Sequence, residues 1–342
     1  MGWRACRGGR IARVDEVVVA FDVDAVSDGE RVVVAGVMEH IEEAGVHSGD
    51  SACAIPPFSL EPDVIREIEE ATVRLARELD VRGLMNVQYG IQNNEVYVLE
   101  VNPRASRTIP YVAKAVGVPL AKIGALVMAG RSLDELGLTE NPKALRVAVK
   151  QPVFPFLKFP GVDVLLGPEM KSTGEVMGID SDFGRAYAKA QIQANAALPL
   201  SGRVLVTVRP EHRPRLADAI RELAENGFEI LGTEGTAADF NAAGIPTRVV
   251  PKPGEGFPNT FDVIENGEVN LVINTVEDDP KIVRDSVIIR RAALTRGIPY
   301  FTTAAGARAG VGAIRALQLE SIGVRSLQEI HARARVPGVR VR

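Results

Sequence analysis

Arg82–Arg107 reads RGLMNVQYGIQNNEVYVLEVNPRASR, and its pattern decides how the rest of the chain is organised. Met85–Gln92 and Val96–Asn102 are β-rich runs separated by Asn93-Asn94-Glu95, the composition of a hairpin. Gln88, Glu100 and Asn102 carry side-chain oxygens near its open end, and Arg104 and Arg107 follow at once. Glu100 and Asn102 stand two apart, so on a strand they leave the same face. Three such oxygens beside two guanidinium groups suit Mg²⁺ bound to a polyphosphate. Magnesium takes hard oxygens, needs only one or two protein carboxylates and leaves the other positions to phosphate and water. Arginine forks orient and neutralise the phosphoryl group. The reading depends on loop length. A two-residue turn at Asn93-Asn94 puts Gln88 opposite Leu99, on the reverse face from Glu100, whereas a three-residue loop puts it opposite Glu100. The longer loop is therefore expected. The alternative is a hairpin whose polar face points only at water.

At 342 residues the chain is long enough for two or three domains. Its composition, 46% hydrophobic and 25% charged, is that of a globular protein. A formal net charge of −4 argues against a nucleic-acid surface, which needs a basic stripe. Two cysteines, Cys6 and Cys53, make neither a disulfide framework nor a zinc site, which fits a reduced cytoplasmic setting. No apolar run approaches the roughly 20 residues of a membrane span. The opening MGWRACRGGRIAR carries Arg4, Arg7, Arg10 and Arg13. It is short, Gly-rich and free of Ser, so residues 1–16 read as an unmatched tail rather than a transit peptide.

Upstream of the hairpin, Val17–Val23 and Arg31–Val37 are strand-like, and Ser59 before Glu61-Pro62 reads as the N-cap of a helix over Pro62–Leu79. Downstream, Pro110–Val116 and Pro119–Ala129 are helices closed by Gly117 and Gly130, with a helical turn at Leu133–Leu136. Val147–Met170 is rich in Pro and Gly. A helix follows from Asp182 to Ala197, and residues 198–202 form the best linker. From Gly202 onward the pattern is five strand–helix repeats, which mean a parallel sheet covered on both faces. Ligands on such sheets bind at the carboxyl ends of the strands. His40, beside Glu39 and Glu42, reads as a surface helix residue.

EVYVLEVNPRASRTIP (Glu95–Pro110) resembles the ATP-grasp core of the carbamoyl-phosphate synthetase large-subunit family, as do VMEHIEEAGVHSGDSA (Val37–Ala52) and KFPGVDVLLGPEMKSTGEVMGID (Lys158–Asp180). The matches are ordered and collinear from about Val23 to Ala332. The resemblance implies an α/β chain: a partial ATP-grasp unit, α+β with an antiparallel sheet, over 17–197, then a five-stranded parallel, doubly wound domain like methylglyoxal synthase over 203–342.

The resemblance also implies roles. Gln88, Glu100 and Asn102 would be ligands to Mg²⁺ or Mn²⁺ bridging the phosphates of ATP, with Arg104 and Arg107 as the phosphate-contacting pair. Val46, His47 and Ser48 would flank the nucleotide. Arg213, Thr233, Thr236, Lys252 and Asn274 would line an allosteric crevice for a UMP- or IMP-type effector. Arg213 stands where relatives carry Lys, and Val276 replaces a Thr. Glu42, Asp50, Tyr300 and Thr302 match a pocket that holds ornithine in bacterial members, although Gln151 replaces a glutamate there. The implied activity is ATP-dependent phosphorylation of carbamate for arginine and pyrimidine synthesis. The implied partners are a glutamine amidotransferase small subunit and a separate chain carrying the first synthetase half. Since that half and most of the lid are missing from the resemblance, the chain alone is expected to be inactive. A non-catalytic regulatory nucleotide-binding module is the alternative. A methylglyoxal synthase, which needs Glu234 or Asp239 as base, is the third reading.

Overall fold

The computed structural model describes residues 4–5, 19–93, 95–159, 162–275 and 280–332. Val17 and Val18, most of the Arg-rich tail, Asn94 and Val276 lie outside them. In the first part of the chain the elements are β1 (Arg4–Ala5), β2 (Val19–Asp28), β3 (Val32–His40), β4 (Cys53–Ile55), α1 (Pro62–Glu78), β5 (Arg82–Gln92), β6 (Glu95–Asn102), α2 (Ile109–Val116), α3 (Leu120–Met128), α4 (Leu133–Leu136), β7 (Val147–Val153), β8 (Gly174–Asp180) and α5 (Phe183–Gln193). β2–β8 make one antiparallel sheet, with β1 at its edge against β6, in the order β1-β6-β5-β2-β3-β4-β7-β8.

The two faces of this sheet bury different things. One carries Phe21, Val23, Val87 and Tyr89 against α1, which presents Ile68, Ala71 and Ala76 at helical spacing. Each large side chain withdrawn from water there contributes about 1.5–3 kcal/mol. The other face packs Val33, Ala35 and Met38 under α2 and α3, where Tyr111, Val112 and Ile123 meet them. α1 starts without the expected Ser59 cap: its N-cap is Glu61, with no side-chain bond. Ser59 instead gives its N–H to Glu39 at 2.8 Å, and its hydroxyl bonds the same carboxylate. A long-range acid has taken the residue that local spacing assigned to the helix.

The second part contains β9 (Gly202–Thr207), α6 (Arg213–Glu225), β10 (Phe228–Gly232), α7 (Glu234–Ala242), β11 (Thr247–Val249), α8 (Thr260–Glu265), β12 (Leu271–Asn274), α9 (Pro280–Thr295), β13 (Tyr300–Phe301), α10 (Ala304–Leu319) and α11 (Leu327–Ala332). The five strands are parallel in the order β11-β10-β9-β12-β13, so the winding reverses between β9 and β12. β9 opens at Gly202, the last residue of the expected linker. One apolar cluster joins the two sheets, running from Ile41 and Val149 through Ala186 and Tyr187 of α5 to Ile273 and Ile314. α5 meets α10 at Gly184, where a Cβ would stand 2.9 Å from the carbonyl oxygen of Gly312, so a larger residue would push the helices apart.

Candidate functional site

The hairpin closes differently from the expectation and still delivers its polar set. Gln92 pairs with Glu95, leaving two positions between the strands rather than three. A β-bulge then falls between Gln88 and Tyr89: Tyr89 faces Val98, Gln88 faces Glu100, and Leu99 is the extra residue. The premise of a longer loop is thus corrected. The bulge shifts register by one and puts Gln88 across from Glu100, on the same face.

The same face extends across β2. Asp22 pairs with Gln88, and Asp24 pairs with Asn86, which pairs with Asn102. Two lateral rows of oxygens result: Asp22, Gln88 and Glu100, then Asp24, Asn86 and Asn102. All but Asp24, which lies buried beneath, floor a cleft of about 470 Å³, whose walls include His47, Ser48, Arg104, Arg107, Lys150, Met170 and Glu175. Of the sequence-predicted set, Gln88, Glu100, Asn102, Arg104, Arg107, His47 and Ser48 line it, whereas Val46 does not. Gln88 gives its amide N–H to Ser48 Oγ at 3.2 Å, a bond that does not use its carbonyl oxygen. His47 is held by its backbone, N–H to the Gly167 carbonyl at 2.9 Å, and its ring Nδ1 accepts from Gly49 N–H at 3.0 Å. Arg104 leans on Asn102 Oδ1 at 3.3 Å, and Arg107 rests against the soft sulfur of Met170, a poor partner that an oxyanion would displace.

Sequence reasoning missed Asp22, Asp24, Asn86 and Lys150. Lys150 is 1% exposed and donates to the Ser48 carbonyl at 3.0 Å. Burial opposes its charge, but Cys53, Asp22, Glu175 and Glu42 hold its pKa above the ordinary lysine value. His40 is not on a surface helix: it ends β3, is 5% exposed and bonds Asp22 Oδ2 at 3.0 Å. Burial alone would push its imidazole down, but Cys53 and Asp22 raise it to about 10.

Asp24 is fully buried and accepts from Asn86 at 2.9 Å, Ser106 at 2.7 Å and Thr108 at 2.6 Å. It therefore pins the segment that carries Arg104 and Arg107 to the sheet. Burial pushes its carboxyl up to about 6, against the pull of those three donors. A raised acid binds its proton more tightly in the folded state, so its contribution is complete below the unfolded value of about 3.9. That contribution fades as pH rises through about 6. Urea denaturation between pH 4 and 7 should show a decline of about 3 kcal/mol from this group. The decline should be missing in Asp24→Asn, and parallel profiles for the two proteins would refute the assignment.

The fit to a divalent ion rests on the donor set. Among the described residues no group of three or more His, Cys, Asp or Glu is placed to hold a metal. An ion here would use the Glu100 carboxylate and the amide oxygens of Gln88 and Asn102, leaving the other positions to phosphate and water, as Mg²⁺ prefers.

The other predicted sets are only partly assembled. Glu42, Tyr300 and Thr302 line one cavity of about 280 Å³ with Gln151 and Tyr187, and burial pushes Glu42 up to about 7. Asp50 does not line it. Its carboxylate is fully buried and accepts N–H bonds from Lys171 at 2.7 Å and Ser172 at 2.9 Å, which makes it a loop clamp. At the carboxyl ends of β9–β12, Thr233 stands at the N-cap position of α7 without a side-chain cap bond, and its hydroxyl donates to Thr236 Oγ1 at 3.3 Å. Arg213 pairs with Asp239 at 2.7 Å. Lys252 gives its backbone N–H to Glu255 at 3.2 Å. Asn274 is 1% exposed and accepts from Arg290 at 2.9 Å.

The chain matches two family models: "Carbamoyl-phosphate synthase L chain, ATP binding domain" over residues 18–136, and "MGS-like domain" over residues 215–302. It is similar to the carbamoyl phosphate synthase large chains of Ralstonia nicotianae, at 52% identity over 91% of this chain, and of Archaeoglobus fulgidus, at 51% over 92%. The Myxococcus xanthus large chain is 48% identical over 96%. The chain spans 29%, 29% and 31% of the length of these relatives. A biotin carboxylase domain of a single-chain bacterial carboxylase is similar in structure at a TM-score of 0.41 and 18% identity, covering 54% of this chain and 47% of that one, too slight a likeness to carry an argument. No single helix among the described residues is long and apolar enough to cross a membrane.

Proposed function

The chain belongs to the carbamoyl phosphate synthase large-chain family, whose C-terminal portion it matches, and from that premise we propose that its antiparallel sheet holds the nucleotide site of a carbamate-phosphorylating unit. The observation that carries this reading is the register of Gln88 on Glu100, next to Asn86 on Asn102, in a cleft walled by Arg104, Arg107 and Lys150. Gln88, Glu100 and Asn102 would hold Mg²⁺ or Mn²⁺, which would neutralise the charge of the nucleotide phosphates. Arg104 and Arg107 exchange their present partners for phosphate oxygens. Lys150 keeps the Ser48 turn in place and adds a buried cation to a site that receives anions. Such a unit works by positioning and charge neutralisation, with no covalent enzyme intermediate. In the complete enzyme it makes carbamoyl phosphate for arginine and pyrimidine synthesis in the cytoplasm, with ammonia from a glutamine amidotransferase subunit.

The crevice of the parallel sheet takes a nucleotide monophosphate effector in this reading, held by Thr233, Thr236, Arg213 and Lys252. The pairing of Asp239 with Arg213 leaves that acid poorly suited to act as the base of a methylglyoxal synthase. Calorimetry on the full chain separates the alternatives. MgADP should bind, and EDTA should weaken that binding to the level of metal-free ADP, while UMP or IMP should bind without metal. UMP or IMP binding without any MgADP binding would leave a regulatory module alone.

A further inference from the structure

Arg290 on α9 has no exposed surface, and its guanidinium is shared between the two sheets. Nε donates to Asp163 Oδ1 at 3.0 Å, a terminal nitrogen bonds Asp163 Oδ2, and the other donates to Asn274 Oδ1 at 2.9 Å. Asn274 ends β12, whereas Asp163 belongs to the loop of residues 162–173 that leads into β8. The far end of that loop walls the nucleotide cleft with Met170, Ser172 and Thr173.

The loop is fixed at identifiable points. Lys171 Nζ ties its own turn together through the carbonyls of Leu165, at 2.6 Å, and Asp163, at 3.4 Å. Asp50 holds the N–H groups of Lys171 and Ser172 at 2.7 and 2.9 Å. Gly167 accepts the His47 N–H at 2.9 Å. Every one of these partners belongs to the antiparallel-sheet part except Arg290, which reaches the loop from the other. A buried ion pair is weak evidence of stabilisation for its own sake, but a planar, bidentate fork fixes orientation as a lysine cannot.

We propose that Arg290 is a positioning residue: through Asp163 it sets the loop that walls the cleft, and nucleotide affinity depends on that fork holding the loop in place. The nucleotide arm of the test rests on the function proposed above, and the exchange arm does not.

Arg290→Gln, Arg290→Lys and Asp163→Asn are made in the full chain, and amide exchange and MgADP titration are measured on each. Exchange of the His47, Lys171 and Ser172 amides should quicken roughly tenfold while β9, β10 and β12 keep their rates, and MgADP should bind about fivefold more weakly, a modest coupling. Arg290→Lys should fail to restore wild-type behaviour, and the double variant should do no more than either single one. Asp163, whose side chain is 27% exposed, supplies the test if Arg290→Gln does not fold. Unchanged exchange at the three amides in Asp163→Asn would overturn the proposal, as would faster exchange with unaltered MgADP affinity. Wild-type chain that binds no MgADP would overturn the functional reading instead, and the exchange rates would still decide whether the fork holds the loop.

Discussion

Replacing Lys150 with methionine should cost about 3–5 kcal/mol of folding stability at pH 7, because it removes one partner from a buried cluster of charges. Methionine fills the same volume, so the loss is electrostatic rather than a cavity. Lys150 pairs across the sheet with Cys53, and Cys53 with His40, which places it among the groups it serves. Asp22, Glu175 and Glu42 all act on its ammonium, and without it they lose a cation, with buried Asp22 left to His40 alone. The Ser48 carbonyl loses its donor as well. Because the folded pKa is raised, the contribution is fully present below the unfolded lysine value of about 10.4 and is lost only as pH rises through the folded one. Lys150 itself therefore adds no pH dependence between pH 6 and 9, and the deficit of Lys150→Met should deepen there only as Glu42, pushed up to about 7, ionises. Urea titrations with unchanged m-values measure it. A deficit below about 1 kcal/mol would mean that water already screens the cluster.

The difficulty of finding Lys150 in the sequence shows what alternation can and cannot convey. One lysine in VAVKQPV carries no local signal, since its acceptor, the Ser48 carbonyl, lies 102 residues away along the chain. Asp22 and Asp24 were missed although a signal existed: FDVDA repeats, two apart on a strand, the spacing that singled out Glu100 and Asn102. The bulge at Leu99 had none, because an extra residue inserted into a ladder leaves no mark on composition. Strict counting from a two-residue turn would have rejected the correct pairing of Gln88. His40 and Asp50 failed for a related reason. His40 stands among acids and Asp50 in a small, polar loop, and both look solvated, yet Asp22 captures one and two backbone N–H groups consume the other. The strand–helix repeats after Gly202 were readable because parallel sheets write their burial into continuous apolar runs such as Val204–Val206 and Leu271–Ile273.

Glu100→Gln should weaken MgADP binding by roughly a hundredfold while leaving the fold intact, a loss of the size expected when a metal site forfeits a ligand or its support. The Glu100 side chain is exposed at the cleft floor, so its exchange for the isosteric amide should alter stability by no more than about 0.5 kcal/mol. Its charge is another matter. Of the three proposed ligands only Glu100 is anionic, and Mg²⁺ retains its waters unless a carboxylate helps replace them. The amides of Gln88 and Asn102 can orient the ion but cannot offset its charge. The prediction therefore separates metal from nucleotide: ADP titrated in EDTA relies on Arg104 and Arg107 and should bind wild type and Glu100→Gln alike, if weakly, whereas addition of Mg²⁺ should tighten binding only in the wild type. Gln88→Leu should fall between the two, since it removes a neutral ligand and the bond to Ser48 together. Equal gains from Mg²⁺ in wild type and Glu100→Gln would show that the ion is held by phosphate and water alone, and the lateral row of oxygens would then serve only to hold the hairpin on the sheet.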